Sequence, residues 1–260
     1  MSDVDVIVLD ATGGGEMLAE CLRSIVGARE IVIFDNGSRS PIRIEGARVI
    51  RSETNIGFAA GVNAAFRETR APYVALINND VVLDRDWIEV TKRALDSDAK
   101  MAAVQTIIRR DAKTIDGAGI DISDGTLRQI GRGLPIGSVL SPAWGVSATA
   151  TLYRRSALGD RVFDPRFFAY YEDVELCARL HEGGWRTNVL PIDKATHRGS
   201  ASAPLLGSTA RKLRTRNRYF VARMHPGIGR ISTLMAEDLK LMLKGRSSLR
   251  GVIEGLCSRL

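Results

Sequence analysis

Residues 55–81 read NIGFAAGVNAAFRETRAPYVALINNDV, and this stretch contains the strongest indication of the fold class. Two glycines four residues apart form a loop that leads into an apolar helix, which we predict at about Ala59–Arg70. An apolar strand follows at Tyr73–Ile77 and ends in the polar residues Asn78, Asn79 and Asp80. A helix followed by a buried strand with a polar end is typical of an α/β protein with a parallel sheet.

The same alternation extends on both sides of this stretch. Apolar runs predict strands at Val4–Leu9, Glu30–Phe34, Ala47–Arg51 and Ala102–Ile108, with helices at about 17–25 and Trp87–Ser97. Strands separated by helices imply an α/β fold with a Rossmann-like, mostly parallel central sheet flanked by helices. Ligands bind beyond the carboxyl ends of such strands, so we expect Asp35 and Asp80 to share one rim of the sheet.

The second half of the chain is less regular. Residues 111–143 are rich in glycine and have no long apolar period, which predicts a loop or an irregular hairpin. Beyond it the pattern predicts a strand at Ser147–Tyr153, a helix at Glu172–Glu182 and a strand at Trp185–Leu190. We therefore predict a main domain over residues 1–208 and a helical, basic C-terminal extension over residues 209–260.

The positive charge of the chain is confined to this extension. The 50 residues from 211 to 260 carry 12 Lys and Arg against 3 Asp and Glu, whereas the first 210 residues carry 25 against 27. A slightly acidic main domain argues against nucleic acid as a partner. A basic helical tail favours peripheral contact with an anionic membrane, unless it is a solvated face over the main domain. The tail also carries a narrow apolar stripe, which consists of Leu249, Val252, Ile253, Leu256 and Leu260.

The remaining sequence features favour the cytoplasm. The N-terminus lacks a basic segment followed by an apolar core, and no apolar run approaches the roughly 18 residues that span a bilayer. Cys21, Cys177 and Cys257 have neither disulfide-type nor metal-type spacing, which fits a reducing compartment. We expect a cytoplasmic protein at the inner face of the membrane.

Two polar segments near strand ends are candidates for substrate binding. Asp35-Asn36-Gly37-Ser38 follows a strand, where a carboxylate can accept hydrogen bonds from a base or a ribose, although the same residues also make simple turns. The glycine loop at Asn55–Asn63 allows backbone N–H groups to approach a phosphate at a helix N-terminus. Helix capping or close helix–strand packing explains the same glycines, and the pattern does not match GxGxxG.

Three further positions are candidates for metal binding and catalysis. Asp80 offers the hard oxygen ligand that Mg²⁺ and Mn²⁺ prefer, unless it only caps the next helix. In FFAYYEDVEL, residues 167–176, Glu172 and Asp173 follow an aromatic cluster that would raise a carboxyl pKa, although acids also favour the first turn of a helix. His197 is either a metal ligand or a surface residue of a loop.

Taken together and in this order, the motifs resemble family 2 glycosyltransferases, especially the bacterial rhamnosyltransferase-like group. The matching segments span about residues 4–225, and they are IVIFDNGS (31–38), NIGFAAGVNAAF (55–66), LINNDV (76–81), FDPRFFAYYEDVELCAR (163–179), ATHRGSAS (195–202) and RTRNRYFVARMH (214–225). The resemblance implies a GT-A fold, with a nucleotide-binding half at about 1–110 and an acceptor half at about 111–208.

The resemblance also implies roles for single residues. Asp173 is the base of an inverting reaction with Glu172 beside it, Asp80 is the retained acid of a DXD-type metal motif, and His197 helps to hold Mg²⁺ or Mn²⁺. Asp35 contacts the nucleotide base. The expected substrate contacts are Asp35, Asn36, Asn55, Gly57, Phe58, Ala60, Gly61, Asn63, Asn78, Asn79, Trp144 and Gly145. The implied donor is dTDP-L-rhamnose or a UDP-sugar, and the implied acceptor is a cell-surface glycan on a lipid carrier.

Two departures from the family pattern keep other functions open. Asp10-Ala11-Thr12-Gly13-Gly14-Gly15 replaces the usual Thr-Tyr-Asn-like loop, and Asn78 replaces the first acid of the metal motif. A non-catalytic nucleotide-sugar binding protein is therefore an alternative, as is a nucleotidyltransferase. A glycoside hydrolase also uses two carboxylates, but it needs them about 5–9.5 Å apart across the sugar.

Overall fold

The computed structural model describes residues 2–199 and 203–258. Its main feature is a nine-stranded mixed sheet with the order β3-β2-β1-β4-β10-β6-β11-β5, in which β7 pairs with β6. A separate small ribbon pairs β8 with β9. The strands are β1 (Val4–Asp10), β2 (Glu30–Asn36), β3 (Arg48–Ser52), β4 (Tyr73–Asn78), β5 (Val81–Leu83), β6 (Met101–Arg109), β7 (Ile115–Gly117), β8 (Ile120–Asp121), β9 (Arg128–Gln129), β10 (Ala150–Arg154) and β11 (Arg186–His197).

Helices cover the sheet and form the C-terminal extension. The first four strands in the order are parallel to one another, and β6 is parallel to β11, while β10 runs antiparallel between β4 and β6. The predicted α/β class with a central sheet flanked by helices is confirmed. The helices are α1 (Glu16–Ser24), α2 (Phe58–Glu68), α3 (Trp87–Asp96), α4 (Arg155–Leu158), α5 (Glu172–Glu182), α6 (Ala203–Met224), α7 (Ile231–Leu243) and α8 (Leu249–Cys257).

The core consists of two apolar layers, one on each face of the sheet. Successive side chains of a strand point to opposite faces. Val6 and Val8 of β1 therefore pack with α1 and with Trp87 of α3, whereas Ile7 packs with Val62 of α2 on the other side. Burial on both faces explains why the strands of the first half are continuous apolar runs.

One strand is much longer than the sequence indicated. The prediction ended it at Leu190, before Pro191, but β11 continues to His197. The pairing with β6 is irregular between Leu190 and Asp193 and again before Ala195, which accommodates the proline within the strand. The expectation that His197 lies in a loop is therefore wrong, because its strand is held between β6 and β5.

The C-terminal helices pack through small residues. A Cβ atom at Gly251 would lie 2.7 Å from the Lys212 carbonyl oxygen, and one at Gly255 would lie 2.7 Å from that of Arg216, so α8 approaches α6 closely. The predicted apolar stripe is divided: Val252 is buried, whereas Leu249 and Ile253 are exposed. Leu260 lies outside the described residues. None of the described helices is both long and apolar enough to cross a lipid bilayer.

Candidate active site

A cleft of about 680 Å³ opens at the carboxyl end of β4 and the N-terminus of α5. Asp80 follows β4 and Asp173 lies in the first turn of α5, and both side chains line this cleft. Of the other predicted site residues, the cleft is lined by Phe58, Asn78, Asn79, Glu172 and His197. Two stretches about 90 residues apart in the sequence thus meet at one cavity of the size that holds a small-molecule ligand.

His197 stands between two carboxylates at one side of the cleft. Its Nε2 lies 3.2 Å from Oδ1 of Asp80, and its Nδ1 lies 2.7 Å from Oδ2 of Asp116. Burial lowers the pKa of His197, but the hydrogen bonds and charges of Asp116 and Asp80 outweigh burial and raise it to about 9. In the absence of another cation, an imidazolium here neutralises part of the acidic charge.

Asp80 and His197 fit a divalent cation as partial ligands. A carboxylate and an imidazole that face the same cavity are donors that Mn²⁺ accepts. A bond from Nδ1 to Asp116 would leave Nε2 as the ligand atom, which is the common arrangement at metal-binding histidines. Within the described residues no group of three or more His, Cys, Asp or Glu side chains forms a complete metal cage. The remaining ligands would come from substrate phosphates and water.

Asp173 is the more accessible of the two neighbouring acids. Its Oδ2 accepts a hydrogen bond from the Ala148 N–H at 3.3 Å, and its Oδ1 accepts one from the Val174 N–H at 2.9 Å. Burial raises its pKa, and the hydrogen bonds from Ala148 and Val174 oppose the increase. A carboxylate with a raised pKa that faces a cavity is suited to take a proton from a hydroxyl.

Glu172 occupies a more enclosed position. Its side chain is buried, and its Oε2 has no hydrogen-bond partner among the described residues. Burial and the charge of Asp173 raise its pKa to about 8, so Glu172 holds its proton at neutral pH. Asp173 is therefore a better candidate for the proton acceptor than Glu172.

A strained aromatic loop places both acids at the cleft. Phe168, Tyr170 and Tyr171 have φ values of 61°, 72° and 69°, in the left-handed region that bulky residues rarely adopt. The side-chain amide of Asn217 on α6 donates to the carbonyl oxygens of three loop residues, Phe167, Ala169 and Tyr170, at 2.7–2.9 Å. The basic extension therefore contributes directly to the geometry of the site.

The altered loop after β1 is ordered by Asp10. This buried carboxylate accepts hydrogen bonds from the N–H groups of Thr12 and Gly13 at 2.6 and 2.9 Å. Its other oxygen accepts a hydrogen bond from the Asn79 amide at 2.6 Å. Asp10 therefore connects the glycine-rich loop to the segment that carries Asp80. The hydrogen bond between Asp10 and Asn79 explains why these two buried residues are polar.

Asp35 lies on the predicted rim but is not among the residues that line the cleft. In the register of β1 with β2, Asp35 is opposite Asp10, so the two acids lie at the same edge of the sheet. The Asp35 carboxylate is fully buried, bonded by the Arg51 guanidinium and by the N–H groups of Ser38 and Ile42. A contact between Asp35 and a nucleotide base stays a prediction.

The glycine loop is built around paired asparagines. The Asn36 amide donates to Oδ1 of Asn55 and to the Gly57 carbonyl at 3.2 and 3.1 Å, and its oxygen accepts from the Ile56 N–H. Gly57 has φ of 92°, and a Cβ there would lie 2.7 Å from the Phe168 ring. The glycine therefore allows the loop to approach the aromatic residues in front of Glu172.

Several other predicted substrate contacts have structural roles. Asn63 donates to the Phe163 carbonyl at 2.7 Å and accepts from Val162 and Phe163, which attaches α2 to the chain before the aromatic loop. A Cβ at Gly61 would lie 2.5 Å from Leu9 of β1. Nine of the predicted substrate contacts do not line the cleft, and their binding of the donor stays a prediction. They are Asp35, Asn36, Asn55, Gly57, Ala60, Gly61, Asn63, Trp144 and Gly145.

Trp144 and Gly145 lie beneath the site. The Trp144 ring meets His181 edge-on at 5.0 Å between centroids, and a Cβ at Gly145 would lie 2.9 Å from the Cys177 sulfur. Both residues thus pack against α5, which carries the two acids.

Sequence reasoning missed several residues of the cleft. Asp116 lies 81 positions before His197, and Asn217 lies more than 40 positions after the carbonyl groups that it binds. Three arginines also line the cleft, Arg128, Arg132 and Arg214, and the last stacks over the Tyr170 ring at 4.3 Å. Spacing along the chain carries no signal for these contacts, because irregular segments bring the residues together.

Comparisons with known proteins identify the family of this chain. A sequence profile described as "Glycosyl transferase family 2" matches residues 6–161. N-acetylglucosaminyl-diphospho-decaprenol L-rhamnosyltransferase of Mycobacterium tuberculosis (strains CDC 1551 / Oshkosh and ATCC 25618 / H37Rv) is 24% identical to this chain, over 96% of the chain and 92% of that protein.

Solved structures show the same fold at lower identity. A mannosyltransferase from Pyrobaculum calidifontis, in complex with GDP-Man and Mn²⁺, matches with a TM-score of 0.59 and 16% identity over 90% of this chain and 68% of that one. GalNAc-T7 with UDP, GalNAc and Mn²⁺ also gives a TM-score of 0.59, with 11% identity over 94% of this chain and 57% of that one. The predicted GT-A fold and the resemblance to the rhamnosyltransferase-like group are confirmed. The chain belongs to glycosyl transferase family 2 and is a glycosyltransferase.

Proposed function

We propose that this enzyme transfers a sugar from a nucleoside diphosphate to an acceptor hydroxyl with inversion at the anomeric carbon. The observation that carries the proposal is the shared cleft, in which Asp80 and His197 stand on one side and Asp173 enters from the N-terminus of α5. One side supplies ligands for a cation beside the leaving diphosphate. The other supplies a base for the incoming alcohol.

Asp173 accepts the proton of the acceptor hydroxyl as its oxygen bonds to the anomeric carbon. In the same displacement the bond between that carbon and the diphosphate oxygen breaks, and the nucleoside diphosphate leaves with the bonding electrons. A single displacement inverts the anomeric centre without a covalent sugar intermediate. The two N–H donors from Ala148 and Val174 hold the carboxylate in position for this transfer.

Asp80 and His197 would hold Mg²⁺ or Mn²⁺. When bound, the cation neutralises the charge that develops on the departing diphosphate. Asp116 fixes the ring of His197 by the hydrogen bond to Nδ1. Because Asn78 replaces the first acid of the motif, the protein supplies few ligands, and occupancy of the site will depend on the nucleotide.

The donor that we propose is dTDP-L-rhamnose or a UDP-sugar, and the acceptor is a cell-surface glycan on a lipid carrier at the cytoplasmic face of the membrane. Support comes from the rhamnosyltransferase whose printed name specifies a diphospho-decaprenol acceptor and which aligns over nearly the whole chain. Phe58, Asn78 and Asn79 line the cleft and are our first candidates for contacts with the donor.

A thermal-shift panel tests this proposal. The purified chain is heated with each nucleoside diphosphate and nucleotide sugar, with and without Mn²⁺, and the melting temperature is recorded. A ligand that binds only the native state raises the melting temperature, so one base should give a shift that needs Mn²⁺. If no nucleotide changes the melting temperature with Mn²⁺ present, the proposal is refuted.

Product analysis then separates transfer from nucleotidyl transfer. With the donor identified by the panel, transfer releases the nucleoside diphosphate, whereas a nucleotidyltransferase releases pyrophosphate. Inversion is read from the anomeric proton coupling or carbon shift of the product. A product that keeps the donor configuration would contradict the single displacement.

A further inference from the structure

The outermost helices carry apolar side chains on their solvent-facing sides. Among the described residues, twelve large apolar side chains are at least 37% exposed, and six of them lie between positions 231 and 253. We call these six the C-terminal apolar surface: Ile231, Met235, Leu239, Leu243, Leu249 and Ile253. Such a concentration on two consecutive helices that both pack on α6 is unusual, because exposed apolar residues of monomeric proteins are normally scattered.

On α7 the exposed residues are separate from the packing face. Leu234 and Asp238 point inward and are buried, whereas Leu239 and Leu243 are 66% and 86% exposed. Ile231 and Met235 continue the same line at four-residue spacing. A helix that only packs on its own protein would present polar residues on this opposite side.

The same division occurs on α8. Gly251, Val252 and Gly255 are buried on the side that faces α6. Leu249 and Ile253 point the other way and are 64% and 54% exposed. The packing of the extension therefore uses only one side of each helix and leaves the other side for a partner.

The free charge beside this surface is positive. The acids of the region are paired within the protein: Glu237 and Asp238 with Arg218, and Glu254 with Lys212 and Arg250. Lys240, Lys244 and Arg246 are exposed, and they form no ion pair with any part of the chain that the structure describes. An apolar surface with unpaired cations at its border complements a bilayer that contains anionic lipids.

We propose that the C-terminal apolar surface docks the enzyme on an anionic lipid bilayer. The six apolar side chains enter the boundary between headgroups and acyl chains, and Lys240, Lys244 and Arg246 contact the lipid phosphates. The helix beneath this surface, α6, also carries Arg214, whose side chain lines the cleft. The inference rests on the surface and not on the reaction, so the two proposals fail independently.

Sedimentation with vesicles tests the docking. The full chain should pellet with vesicles of phosphatidylcholine mixed with phosphatidylglycerol, and less with phosphatidylcholine alone. The double variant Leu239→Gln/Leu243→Gln should lower the partition coefficient at least about tenfold, because two buried leucines are lost from the lipid. The double variant Lys240→Gln/Lys244→Gln should lower it on the mixed vesicles only. Val139→Gln is the control, because Val139 is 99% exposed but lies in a loop outside the C-terminal helices.

Two outcomes would overturn the proposal. One is a full chain that stays in the supernatant with the mixed vesicles or a leucine variant that pellets like the wild type. The other is a dimer in analytical ultracentrifugation that the leucine variant dissociates, which would assign the surface to a second copy. If the leucine variant does not fold, Leu243→Trp decides: its fluorescence shifts to the blue with mixed vesicles if the surface docks, and stays unchanged if it does not.

Discussion

The two sides of the cleft are built in opposite ways. Asp80 follows β4, which pairs parallel with β1 and antiparallel with β10, so sheet pairing and a buried core position its side. Asp173 follows a loop with three bulky residues at positive φ, and its side is positioned by hydrogen bonds from α6. The proposed cation side is therefore a property of the fold, whereas the proposed base side depends on a few specific contacts.

The largest expected effect is on the base itself. Asp173→Asn should lower turnover by about 10² to 10⁴-fold, since the amide cannot accept the proton of the acceptor. Steady-state kinetics with the donor that the thermal panel identifies would measure this. Glu182→Gln, an exposed acid at the other end of the same helix, is the control and should keep normal turnover. Turnover in Asp173→Asn close to that of the wild type would remove Asp173 from the mechanism.

The next effect tests the support that α6 gives to the base side. Asn217→Ala removes a side chain that donates to three loop carbonyls, which should cost about 1–3 kcal/mol of stability. Turnover should fall about tenfold or more through displacement of Asp173, while the dissociation constant of the donor stays the same. Asn188→Ala, on the exposed side of β11, is the control. A loss of donor affinity with unchanged turnover would contradict this division.

A smaller effect is expected at Gly57, where the glycine loop contacts the aromatic loop of the base side. In Gly57→Ala the new Cβ would approach the Phe168 ring to 2.7 Å, in addition to the strain of positive φ. Gly14→Ala has the same strain, with φ of 88°, but its nearest neighbour would be 3.9 Å away. We expect Gly57→Ala to be less stable than Gly14→Ala by about 1–3 kcal/mol in urea unfolding. If both variants lose the same free energy of unfolding, the contact between Gly57 and Phe168 does not contribute to stability.

The last expected effect is a pH dependence of stability. Burial and Asp173 raise the pKa of Glu172 from 4.5 to about 8 in the folded state. Between these values the folded protein binds a proton that the unfolded chain has lost, so the contribution of Glu172 to stability is full below pH 4.5 and decreases as pH rises towards 8. Glu172→Gln should therefore gain melting temperature relative to the wild type as pH rises from 5 to 8. If the difference in melting temperature between the two proteins stays constant over this pH range, Glu172 is not the group that titrates.

The first half of the chain could be predicted from sequence because local pattern and final structure agree there. Buried parallel strands are continuous apolar runs, and helix α2 was predicted within about two residues of its observed ends. Glu172–Glu182 was predicted with both ends correct, since acids at the first turn and glycines after the last turn mark a helix.

The second half was harder because its structure depends on contacts distant in sequence. Residues 111–143, predicted as a loop or an irregular hairpin, contain three short strands, but nothing in their pattern indicates that Asp116 contacts His197. The continuation of β11 beyond Pro191 could not be predicted, because local sequence does not indicate the bulges that accommodate the proline. The positive φ values of Phe168, Tyr170 and Tyr171 oppose local preference, and contacts distant in sequence, such as the hydrogen bonds from Asn217, hold them in place.

The most direct measurement is the affinity for the Mn²⁺ complex of the nucleoside diphosphate, compared by calorimetry in the wild type, Asp80→Asn and Asp173→Asn. If Asp80 holds the cation and Asp173 serves only as the base, Asp80→Asn weakens binding about tenfold or more and Asp173→Asn leaves it unchanged. Both variants lose turnover. Equal affinities in wild type and Asp80→Asn, or loss of binding in Asp173→Asn, would contradict the division of the cleft into a cation side and a base side.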